Sequence, residues 1–132
     1  MKRDALDALF STYIRTRDRW RCQRCGTFYA PPTQALHCAH FFSRGRYSVR
    51  FDPDNAAALC YDDHRFLDQR PLEKEKFARH FLGDDCYERL LFRAHHARSA
   101  AQVRLQRTAS RVWLTAELKR LNGELAAEES DR

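Results

Sequence analysis

The chain has 132 residues, one domain's worth, and a domain of that size often supplements its core with a metal or a partner subunit. A formal charge of +6 and a pI near 9.3 suit a polyanionic partner but say nothing about fold. No stretch approaches the roughly 20 apolar residues of a membrane span, and charged residues stand at the N-terminus where a signal peptide would be apolar. The chain is therefore read as soluble and intracellular, with no membrane partner.

In chain order, Leu6, Leu9, Phe10, Tyr13 and Ile14 recur at helical spacing and predict an amphipathic helix over about residues 3–18. It leads to a Cys22-x-x-Cys25 knuckle. Gly26, Pro31 and Pro32 mark a loop, and Ala35 to Phe42 is short and apolar enough for a strand. Gly45 is read as a turn into a second strand at Tyr47 to Phe51. Asp52-Pro53-Asp54-Asn55 then caps a helix from Ala56 to Leu67, giving a ββα unit. Beyond Pro71, Leu72 to Leu82 reads as a helix stopped by Gly83, and Asp84 or Asp85 caps another through Phe92. From Ser99 one long helix follows, with a leucine stripe at Leu114, Leu118, Leu121 and Leu125 and an arginine stripe at Arg104, Arg107 and Arg111. The leucines are read as packing on the domain, though a short coiled coil stays open. The arginines are read as a solvated face, with DNA contact as the alternative. The tail from Glu124 is expected to fray.

The cysteines are odd in number, and a CxxC pair in a reducing compartment points to metal or catalysis before a disulfide. Cys22, Cys25 and Cys60 can give three thiolates to a tetrahedral zinc. Asp63 and Cys38 are the alternatives for the fourth ligand. Cys86 reads as a small buried side chain.

Three further residues carry chemistry: His40 at the end of the first strand, Asn55 in the loop, and His64 beside Cys60. His40 suits a general base that takes a proton from water. His64 suits a ligand for a divalent cation (Mg, Mn or Zn) that stabilises charge on a scissile phosphate. Asn55 either binds that cation or holds the loop. His37, Asp63 and Asp68 are candidates for a further ligand to that cation, and water could also fill the position. His80, His95 and His96 read as partly buried imidazoles hydrogen-bonded to carbonyls.

The run from Phe10 to Asp18, then Cys22-x-x-Cys25-Gly26, His40-Phe-Phe-Ser-Arg44, Arg50-Phe-Asp-Pro-Asp-Asn55 and Cys60, resembles the HNH nucleases of phages and prophages, especially the NinG (Rap) recombination proteins. Similarity extends through Leu82-Gly-Asp. The chain departs from the zinc-knuckle pattern at Asp63, where a cysteine is expected, and at Ala39. The resemblance implies an α+β, mainly helical fold: a ββα-metal (HNH, His-Me finger) core with a zinc knuckle, an N-terminal helix and C-terminal helices. Residues 1–92 would form the nuclease domain and 93–132 a helical extension. It implies metal-dependent hydrolysis of DNA phosphodiesters to 5′-phosphate and 3′-hydroxyl ends, on branched recombination intermediates, in the cytoplasm of a host cell carrying the phage or prophage. A resolver of symmetric junctions would gain from a homodimer.

Eight arginines and one acid lie between residues 15 and 50, a positive strip beside the candidate site. Arg44, Arg46 and Arg50, near His40 in sequence, are the candidates for phosphate contacts, with pairing to Asp52, Asp54 or Asp62 as the alternative for Arg44 and Arg50. The rival reading for the whole chain is a nucleic-acid-binding zinc-knuckle module whose nuclease site has decayed at Ala39 and Asp63.

Overall fold

The computed structural model describes residues 2–131. Asp4 opens α1 (Ala5–Arg17) with a reciprocal capping box: its side chain accepts from the Asp7 amide at 3.0 Å, and Asp7 accepts from the Asp4 amide at 2.8 Å. The apolar periodicity of α1 buries Leu6, Phe10, Tyr13 and Ile14. Arg19 and Trp20, both at φ 58, then take the left-handed conformation and end the helix in a tight turn. That turn leads straight to Cys22. Gly26, at φ 79, closes the knuckle with its amide on the Cys22 carbonyl.

Two strands, β1 (Leu36–His40) and β2 (Ala56–Cys60), pair antiparallel with Leu36 opposite Cys60 and His40 opposite Ala56. The expected second strand at Tyr47 to Phe51 is instead part of a compact turn, and residues 56–60, expected to begin a helix, form β2. Alanine favours helix in isolation. Here Ala56, Ala57, Ala58, Leu59 and Cys60 are all buried, so small side chains let other elements close on both faces of the strand. The edge of β2 is bonded as well: Ala58 donates to Asp18 Oδ2 and accepts from the Gln23 amide, and Arg17 donates to the Ala56 carbonyl.

A single 3-10 turn (Pro53–Asn55), capped by Asp52, leads into β2, and α2 (Tyr61–Asp68) follows it directly. Next come α3 (Pro71–Leu82) and α4 (Asp84–Ala94), separated by Gly83 at φ 85. The expected domain boundary after residue 92 falls inside α4. The last helix, α5 (Ala100–Ser130), is capped by Ser99 and Gln102 and stays helical well past Glu124, where fraying was expected. Arg19 holds that end by a two-pronged ion pair with Glu128, at 2.7 and 2.8 Å.

Three apolar clusters make the core. α1, Phe51, Ala56 and the fully buried Leu114 form the first, so the leucine stripe of α5 packs on α1. Cys22, Leu36, Ala39, Leu59, Cys60 and Leu67 are in the second, between the sheet and α2. Val49, Leu90 and Ala94 form the third. The molecule is thus mainly helical with one small antiparallel sheet, and no helix among the described residues is long and apolar enough to cross a membrane.

Candidate metal centre and histidine cleft

The turn after α1 and the start of α2 bring Cys22, Cys25, Cys60 and Asp63 together, each with a ligand atom within 4.8 Å of all the others. Four tetrahedral ligands at Zn–S bonds of about 2.3 Å stand roughly 3.8 Å apart, so the cluster fits one zinc ion. Asp63 is the fourth member; Cys38 is not, because it lies against the α1 core, where burial pushes its thiol up to about 12. The Cys22 and Cys60 thiols lie 3.1 and 3.3 Å from Asp63 Oδ2, and they donate to it while protonated. Burial pushes Cys22 up to about 12 and raises Cys60, whereas the Thr27 hydroxyl lowers the exposed Cys25. Burial also acts to raise Asp63, but hydrogen bonds from Cys22, Arg24 and Cys60 outweigh it and hold the carboxyl below its ordinary value. Arg24 lies 2.5 Å from Asp63 Oδ1, with its guanidinium over the Phe66 ring. The cluster can hold a metal ion such as zinc, and Arg24 leaves one carboxylate oxygen of Asp63 for it.

An open cleft of about 700 Å³ is lined by His37, His40, Arg44, His64, Asp68 and Lys74 among others. His37 on β1 meets His64 on α2 with their Nδ1 atoms 3.0 Å apart, and His64 Nε2 lies 3.2 Å from Asp68 Oδ2. Two imidazole nitrogens about 2.1 Å from one tetrahedral ion stand roughly 3.3 Å apart, so the pair needs little movement to share a cation. Burial lowers the pKa of His64, which favours the neutral, ligating form. Lys74 Nζ holds the other oxygen of Asp68 at 2.8 Å.

His40 stands on the Phe10 ring, 5.5 Å between centroids, with its Nε2 3.1 Å from the Arg50 carbonyl. A carbonyl can only accept, so Nε2 carries the hydrogen and Nδ1 keeps its lone pair. Burial lowers the His40 pKa to about 4, leaving the ring neutral at physiological pH.

Asn55 is fully buried and holds the loop. Its Nδ2 donates to the Phe42 and Val49 carbonyls at 2.9 and 3.0 Å, and its Oδ1 accepts from the Phe42 amide at 2.8 Å. This corrects its placement among the cation ligands: the side chain is spent on the backbone that follows His40.

The arginine strip is largely tied into the fold. Arg50, expected to clamp phosphate, is only 5% exposed and pairs with Asp7 through Nε at 3.0 Å and Nη2 at 2.5 Å, a partner not foreseen. Arg15 donates to the Ser11 and Thr33 carbonyls, Arg17 pairs with Asp18, Arg19 with Glu128 and Arg24 with Asp63. Arg44 lines the cleft 3.7 Å from Asp7, and Arg46 is exposed beside it in sequence. His95 and His96 bond through Nδ1 to the Leu91 and Phe92 carbonyls, but both are exposed where partly buried rings were expected.

Arg24 and Asp7 are the site-supporting residues that sequence reasoning missed. Asp7 was visible only as the third residue of a capping box, and nothing local to Arg24 points to Asp63. Comparison of the chain with protein-family models, curated proteins and solved structures gave no match.

Proposed function

We propose that the chain is a metal-dependent endonuclease of the HNH class that hydrolyses DNA phosphodiester bonds, with β1, β2 and α2 as its ββα-metal core. The observation that carries this reading is His40: one nitrogen anchored on a backbone carbonyl, the other free to accept a proton, on a cleft shared with the His37, His64 and Asp68 group. A buried structural histidine has no need of that company.

In this reading His40 Nδ1 takes a proton from water as its oxygen attacks phosphorus, and the 3′ oxygen departs to leave a 5′-phosphate. A divalent cation held by His64 and His37 through Nδ1, with Asp68 accepting from His64 Nε2 to orient the ring, would supply charge stabilisation to the phosphate and the leaving oxygen. Asn55 keeps the strand end and the loop in register, so that His40 meets the cleft in one orientation. Arg44 and Lys74 add positive charge at its wall. The likeness of the His40 to Arg44 and Arg50 to Asn55 runs to phage recombination nucleases supports branched DNA as the substrate. The Cys22, Cys25, Cys60 and Asp63 cluster would bind structural zinc and hold α1, β2 and α2 together.

Cleavage of supercoiled plasmid tests the reading, with wild type and His40→Ala each assayed in EDTA and in added Mg²⁺ or Mn²⁺. Metal-dependent nicking by wild type alone supports it. Failure of both proteins to cut plasmid and branched DNA, while both still shift DNA in a gel, would favour the binding-module reading.

A further inference from the structure

We propose that the first half of α5 carries a docking groove for the phosphate backbone of duplex DNA, formed by Arg104, Arg107, Thr108 and Arg111 and leading to the histidine cleft. The groove encloses about 310 Å³ and is lined by those four side chains. Its ligand class rests on the nuclease reading above.

The charge of α5 is divided along its length. Between Ala100 and Ala116 there are three arginines and no acid, whereas all the glutamates of the helix lie from Glu117 onward. Each of the other four helices has an acid in its first turn (Asp7; Asp62 and Asp63; Glu73; Asp84 and Asp85), and α5 has none. No carboxylate of α5 lies within four residues of Arg104, Arg107 or Arg111, so the helix itself supplies no partner for them. The fold matches most of its other helix and strip arginines with carboxylates: Arg17, Arg19, Arg24, Arg50, Arg79, Arg93 and Arg120 all form ion pairs. Arg104 and Arg111 are exposed and form no ion pair among the described residues.

Position links this groove to the cleft. Arg107 donates to Asp4 Oδ2 at 2.7 Å, and its guanidinium lies over Phe51; Gln106 donates to the Ser48 carbonyl at 2.8 Å. Asp4 and Asp7 share one helical turn, and Arg3 and Asp7 line the cleft. One turn of α1 therefore separates the two basic surfaces. Arg104 to Arg111 covers about 10 Å of helix, the rise of roughly three nucleotides on one strand. Phosphate contacts of this kind position a duplex and carry no sequence information.

The test is binding of a fluorescent random-sequence duplex of about 30 bp, without chelator and without added Mg²⁺ or Mn²⁺ so that the cysteine cluster keeps its metal, across a salt series from ~50 mM upward. Arg104→Gln/Arg111→Gln is compared with wild type; Arg107 is kept because it holds Asp4. The expected result is a salt slope lower by about 1.8 and binding weaker by about tenfold or more at the lowest salt. An unchanged slope, or no duplex binding by wild type at low salt, would overturn the proposal. So would a double variant that binds duplex normally but loses binding to phosphatidylserine vesicles, which would make the groove a membrane contact. Plasmid cleavage by the same two proteins with Mn²⁺ separates the readings. Weakened binding by the double variant, with no cleavage of plasmid or branched DNA by wild type, leaves the groove and removes the nuclease; cleavage with unaltered duplex binding does the reverse.

Discussion

Arg50 and Asp7 form a two-pronged ion pair at the wall of the cleft, both side chains almost fully buried, and the carbonyl of the same Arg50 accepts the Nε2 hydrogen of His40. The guanidinium thus fixes the backbone that fixes the histidine tautomer. Breaking a buried pair leaves an uncompensated charge, so Arg50→Met is expected to cost about 3–5 kcal/mol in urea unfolding. Asp7→Leu/Arg50→Met, which removes both charges, should be less destabilised than the sum of the single variants. Additive losses would show that the pair is not coupled.

His40 gives a pH prediction. Its pKa falls from 6.5 to about 4 on folding because burial disfavours the charged ring. The unfolded chain therefore binds this proton first as pH falls. The stability that His40 contributes is complete above pH 6.5 and is lost progressively as pH drops to about 4. Titration followed by NMR, without chelator or added divalent cation, should show an imidazole still neutral at pH 5 whose signal is absent from spectra of His40→Phe. A His40 midpoint near 6.5 would mean that the ring is open to water.

The cysteine cluster predicts one zinc per chain by elemental analysis of protein purified without chelator. Cys22→Ser should lose it. Arg24→Ala, which removes only the support of Asp63, should weaken binding by about 10- to 100-fold, the usual effect of removing a ligand's hydrogen-bond partner. Asp63→Cys should keep the metal. Loss of zinc from Asp63→Cys, in a variant that still folds, would argue against a tetrahedral site at this cluster.

Asn55→Ala removes three hydrogen bonds and leaves the Phe42 amide and carbonyl without partners, while the Val49 carbonyl keeps the Asp52 amide. The expected loss is about 3 kcal/mol, with faster amide exchange at Phe42. Wild-type exchange at that amide would remove Asn55 as the holder of the loop.

Leu114→Ala should cost about 2–5 kcal/mol, because Leu114 is fully buried among residues of α1. A loss below about 1 kcal/mol in calorimetry would mean that α5 is not part of the α1 core.

Local patterns made much of this arrangement legible. The α1 periodicity, the Gly83 break and the start of α5 at Ser99 each depend on neighbours in sequence, and the spacing of Cys22, Cys25 and Cys60 pointed to three of the residues that converge, with Asp63 and Cys38 left as alternatives for the fourth. The strand at Ala56 to Cys60 was hidden because an alanine run favours helix until neighbours on both faces demand small side chains. The arginines were misread for a related reason. A run of guanidinium groups looks like a free positive surface, but the partner of Arg50 lies 43 residues away and that of Arg19 lies 109 away. Charge in sequence is local; its neutralisation is not.

The Asp4–Arg107 and Arg19–Glu128 pairs show that α1 and α5 run side by side in the same direction, joined by contacts 103 and 109 residues apart. During synthesis, Leu6, Phe10 and Ile14 must wait for Leu114 to leave the ribosome before their shared core can close. Loop closure on that scale makes folding slow. α1 also carries Asp7, the anchor of Arg50 and so of His40. The arrangement of the cleft is therefore incomplete in a nascent chain until α5 has been made and has docked.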